Sequence, residues 1–63
     1  MTFIEFHNYH NGDKILFNLA SINTIYGKEG HTKIFVDGIV YEIQETYSEV
    51  IDAINNYYNL SMA

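Results

Sequence analysis

The chain contains no cysteine, so no disulfide and no thiolate metal site can staple it. It also contains no arginine, and its only strong bases are Lys14, Lys28 and Lys33 against eight acids, for a net charge of −5. Nucleic-acid binders need a basic footprint that releases phosphate counterions, and the guanidinium fork that reads phosphate or guanine is missing here. Direct nucleic-acid binding is therefore not expected. No apolar run approaches the roughly 18 residues of a membrane span. The N-terminal residues lack the basic and apolar regions of a signal peptide, so a cytoplasmic location is the expectation. No Gly-x-Ser-x-Gly elbow and no Cys–His arrangement is present.

What remains is a short, apolar, aromatic-rich chain. It has 63 residues, 48% of them hydrophobic, with six tyrosines and four phenylalanines. This is too apolar for disorder and implies one small domain over residues 1–63. A domain of this length buries only about 60% of its unfolded surface. It needs either a well-idealised core or self-association.

The strongest local signal is Asp37-Gly38, set between His31–Val36 and Ile39–Gln44. Asp and Gly tolerate the positive φ that a type I′ hairpin turn requires. The two-residue turn pairs Val36 with Ile39, Phe35 with Val40, Ile34 with Tyr41 and Lys33 with Glu42. One face then carries Thr32, Ile34, Val36, Ile39, Tyr41 and Ile43, and reads as a core face. A second turn signal, Asn11-Gly12, separates the alternating stretch at Thr2 to Asn8 from Lys14 to Leu19. A two-residue turn there pairs Phe6 with Phe17 and Ile4 with Leu19. Residues Asn18 to Ser21 read as a corner and Ile22 to Tyr26 as a middle strand. There Ile22 and Ile25 point to opposite faces unless a bulge intervenes. Gly27 to Gly30 reads as a loop.

Thr46-Tyr47-Ser48-Glu49 is a capping box, in which Thr46 caps a helix and Glu49 reaches back to its amide. The helix is expected to run to about Tyr58 or Asn59, with Ser61 to Ala63 frayed. Val50, Ile51, Ile54, Tyr57 and Tyr58 form its apolar stripe. The resulting expectation is an α+β fold of order β-β-β-β-β-α. A single antiparallel sheet, made of two hairpins and a middle strand, has the C-terminal helix packed on one face.

The chemistry-bearing residues point away from catalysis. His7 and His10 lie an odd number of positions apart, and His31 begins another strand, so surface histidines are expected rather than a metal site. A catalytic carboxylate pair would need a cleft that so short a chain has little wall to build. No catalytic residue, cofactor, metal or small-molecule substrate is expected. Two surfaces carry the functional expectations. Phe35 and Val40, with Leu16, Phe3 and Ile25, are assigned to an outer sheet face that could bind a protein partner or another copy. Glu42, Glu45, Glu49 and Asp52 form an acidic edge that could dock on a basic protein.

The pattern Phe3-Ile4-Glu5, Asn11-Gly12 before Ile15 to Asn18, Ile22 and Ile25, Thr32 and Ile34, Asp37-Gly38 before Tyr41, and Glu45-Thr46 before Glu49-Val50-Ile51 resembles the flagellar FlbD / swarming-motility SwrD family. Most of these positions are core or turn residues. The resemblance implies a non-enzymatic role supporting flagellar motor function or swarming, and it carries over no catalytic residue. The alternative expectation is an acidic regulator or inhibitor, such as one encoded by a phage or mobile element, that docks on a nucleic-acid-binding protein.

Overall fold

A computed structural model describes residues 2–62, with side chains described through residue 58. The order is β1 (Phe3–His7), β2 (Lys14–Asn18), a short 3-10 helix (Leu19–Ser21), β3 (Ile22–Lys28), β4 (His31–Val36), β5 (Ile39–Ile43) and α1 (Tyr47–Met62). The α+β class is as expected, but the strands form two antiparallel sheets and not one. β1 and β2 make a two-stranded sheet, and β3, β4 and β5 make a three-stranded one with β4 central. The division starts at Asn18, whose side chain accepts a hydrogen bond from the Ala20 amide at 3.1 Å and caps the 3-10 helix. That turn redirects the chain, and β3 pairs with β4 only.

The Asp37-Gly38 hairpin has the expected register throughout, from Thr32 opposite Ile43 to Val36 opposite Ile39. Asp37 has φ +48° and Gly38 φ +82°, as a type I′ turn demands. The first hairpin is shifted by two residues. Phe6 pairs with Ile15 and Ile4 with Phe17, because the connection has four residues and not two. The Asn8 amide donates to the Asp13 carbonyl, and the Asn8 and Asn11 side chains accept from the amides of His10 and Asp13. A shift of two preserves which residues share a face. Ile4, Phe6, Ile15 and Phe17 therefore still point inward.

The middle strand is longer than expected, and only Glu29 and Gly30 remain outside it as a turn. A bulge between Ile22 and Thr24 turns both Ile22 and Ile25 to the core side, so Ile25 does not belong to the outer face. Gly27, expected in a loop, lies in β3 under Tyr47. A β-carbon there would stand 3.0 Å from both Cβ and Cδ1 of Tyr47, so the start of α1 approaches β3 this closely only over a glycine.

The capping box forms as the sequence requires. The Thr46 amide donates to Glu49 Oε1 at 2.9 Å, and the Glu49 amide donates to Thr46 Oγ1 at 3.2 Å. The helix continues through Met62 and not only to Tyr58 or Asn59, since no glycine or proline interrupts residues 47–62. The expectation for Ala63 lies outside the described residues.

The inner faces of the two sheets enclose the core with one side of α1. Phe6, Phe17, Ile34, Ile43 and Val50 are buried together. The Phe17 ring meets Tyr41 edge-on at 5.3 Å and Phe6 at 5.9 Å, so it joins one sheet to the other. Ile39, expected in the core, is 55% exposed because it sits at the hairpin tip, beyond the cover. Thr32 is fully buried, and its hydroxyl donates to the Glu45 carbonyl at 2.8 Å, tying β4 to the start of the helical segment.

Candidate functional site

The outer face of the three-stranded sheet is assembled by strict alternation. Thr24, Phe35 and Val40 form one cross-strand row, and Tyr26, Lys33 and Glu42 form the next. Phe35 is half-buried, while Val40 and Tyr26 are about half exposed. The helix packs on the opposite face through Val50. Phe35 and Val40 are thus the neighbours that the sequence implies. Leu16 and Phe3 are exposed too, but they lie on the outer face of the β1–β2 sheet. The expected patch loses Ile25 to the core and divides into two patches on two sheets, and Tyr26, turned outward by the bulge in β3, joins the first.

The four carboxylates of the acidic edge are also separated by role. Glu42 Oε2 lies 2.8 Å from His10 Nε2, and its Oε1 lies 3.7 Å from Lys33 Nζ and 4.0 Å from His31 Nε2. Glu45 Oε2 lies 2.6 Å from His7 Nδ1, and its Oε1 accepts from the His7 amide at 3.0 Å. Glu49 caps α1, and Asp52 is exposed on it. Three of the four therefore have partners within the molecule. The histidine–carboxylate seam they create was not legible in sequence, because it joins positions more than 30 residues apart. The Tyr9 ring stacks on His31 at 4.1 Å and meets His10 edge-on at 5.3 Å, closing the seam. Among the described residues, no three histidines or acids are grouped as a metal ion would require.

The seam changes how the two carboxyls titrate. The His10 hydrogen bond is the main cause that holds Glu42 below its ordinary value of 4.5, with Lys33 and His31 adding to it against desolvation. Burial pushes Glu45 up, but the bonds from the His7 ring and amide outweigh it and leave this carboxyl lowered as well. A lowered carboxyl stabilises the fold above its unfolded value, and that contribution disappears as pH falls through the folded value. Stability is therefore expected to decline below about pH 4.5, with a shallower decline in Glu45→Gln. Urea midpoints measured across this range test it, and an unchanged acid limb in the variant would remove Glu45 as a cause.

A groove of about 340 Å³ lies between β3 and α1, lined by Ile22, Ile25, Ile51 and Ile54 together with Asn23, Tyr47 and Tyr58. No helix among the described residues is long and apolar enough to cross a membrane. Comparison with protein-family models, curated proteins and solved structures finds no match.

Proposed function

We propose that this chain is a small non-enzymatic protein-binding module that uses the outer face of its three-stranded sheet. The observation that carries the reading is the Phe35–Val40 pair, flanked by Tyr26 on the sheet face turned away from the helix. Clustered apolar side chains on a small soluble domain mark contact surfaces more often than isolated ones do. The resemblance to the FlbD / SwrD family makes a flagellar or swarming partner the first to seek. The acidic-regulator alternative is weaker, because Glu42, Glu45 and Glu49 are engaged inside the molecule.

Phe35→Asp tests the surface. An aromatic anchor at the centre of an interface commonly contributes 2 kcal/mol or more, so binding should weaken by about 30-fold. Affinity capture of the tagged chain from its host, after nuclease treatment, identifies the partner. Sedimentation velocity distinguishes a second copy from a different protein. Unchanged capture and association by a Phe35→Asp variant with native circular dichroism would remove this face from consideration. Loss of capture in high salt, with Phe35→Asp still bound, would favour the acidic edge instead.

A further inference from the structure

We propose that the free edge of β3 pairs with the β3 edge of a second copy of this chain, joining two three-stranded sheets into one of six strands. This surface borders the outer face proposed above at Tyr26 but does not depend on it. β3 ends the sheet order, so one of its sides meets β4 and, among the described residues, no strand pairs with the other. Native edge strands are commonly blunted by shortness, proline, charge or a bulge. β3 is seven residues long and holds no proline and no acid. Its one charge, Lys28, stands at the end of the strand, with Nζ 5.7 Å from the centre of the Tyr26 ring. The bulge blunts only the other end, between Ile22 and Thr24. The stretch from Thr24 to Gly27 is left open.

The phase of the backbone bonds selects the occupant. Lys28 and His31 close a two-residue turn, and the closing pair of such a hairpin is hydrogen-bonded. Bonded pairs then recur at Tyr26–Lys33 and Thr24–Phe35, so Lys28, Tyr26 and Thr24 turn their amides and carbonyls toward β4. Those of Ile25 and Gly27 point to the open edge. Two outward residues with one between them form a self-complementary set. An antiparallel copy centred on Tyr26 opposite Tyr26 sets each Ile25 against the other chain's Gly27, and every outward amide then meets a carbonyl. The side chains agree with this register. On the α1 side, each Ile25 meets a glycine, where no side chain projects beyond the cover of Tyr47. On the outer side, the two exposed Tyr26 rings adjoin across the axis and Lys28 comes opposite Thr24. Identical surfaces meet in a two-fold contact, so an acid at its centre would face its own copy. The net charge is −5, yet no carboxylate and no lysine lines the groove beside this edge. Glu29, in the turn, comes toward Asn23 and not toward another acid. The Asn23 Oδ1 already accepts from the Asp37 amide at 2.9 Å, which leaves its NH2 group to donate to that carboxylate.

Sedimentation velocity of the intact chain should show a mass that rises toward two chains with concentration. Hydrogen exchange over the same concentrations should show the Ile25 and Gly27 amides gaining protection, while that of Tyr26, already bonded to β4, gains far less. Thr24 is exposed, so its replacement leaves the core alone. Thr24→Lys sets a lysine opposite each Lys28 and should weaken association by about fivefold. Adding Lys28→Glu to that variant makes the facing charges opposite and should restore it. Phe35→Asp, on the neighbouring strand, should leave the pair in place. A chain that stays monomeric overturns the proposal. So does a dimer whose Ile25 and Gly27 amides exchange as in the single chain, or one indifferent to Thr24→Lys. Protection of those two amides only when a different host protein is added would give the edge to that protein instead.

Discussion

Phe17→Ala is expected to cost about 3–5 kcal/mol, the usual cost of removing a buried phenylalanine ring. A single core in a domain of this size rarely supplies more than about 3–5 kcal/mol in total. The variant should therefore be largely unfolded at room temperature, which far-ultraviolet circular dichroism and a urea titration would show. The effect is large because of where the ring sits. Phe17 belongs to β2, yet it contacts Phe6 beside it and Tyr41 across the core, so its loss opens a cavity between the two sheets. Leu16 is the internal control. It is adjacent in sequence, similarly apolar and 62% exposed, and Leu16→Ala should move stability by only about 0.5 kcal/mol. Similar urea midpoints for the two variants would contradict the placement of the β1–β2 hairpin over the three-stranded sheet.

Ile43→Ala carries the second large expectation, about 2–5 kcal/mol. Its control is Ile39→Ala. Both isoleucines lie on β5, four residues apart, and alternation assigns both to the core face. Ile43 is fully buried where β5 meets β1, whereas Ile39 is 55% exposed at the hairpin tip. Truncating Ile39 removes little apolar surface from a buried setting, so its cost should stay below about 1 kcal/mol. Chemical denaturation of the two variants separates them, and equal losses would mean that the cover over β5 extends to its tip.

These pairs mark how far the sequence could be read. The Phe35–Val40 contact was legible because Asp37-Gly38 sets a two-residue turn, and the turn sets every pair along the hairpin. The separation of Leu16 and Phe3 from that pair was not legible, since it depends on which strand edges meet. The histidine seam was invisible for a related reason. His7 and His10 lack metal-ligand spacing along the chain, and their partners Glu42 and Glu45 arrive only when β5 comes up against the end of β1. Carboxylates that look like an acidic edge in sequence thereby become internal acceptors.

The sequence by itself determined the local structure: the type I′ turn at Asp37-Gly38, the inward and outward faces of the hairpin strands β1, β2, β4 and β5, and the Thr46–Glu49 cap. Each depends on backbone preferences and side-chain spacing within a few residues, and these act before the chain is compact. The tertiary structure decided the rest. Asn18 and the 3-10 helix divide the strands into two sheets, the four-residue loop brings Tyr9 onto His31, and Ile39 is left outside a core that accepts Ile43. Those outcomes turn on how much apolar surface a 63-residue chain can cover at once, a competition among distant segments that no local pattern encodes.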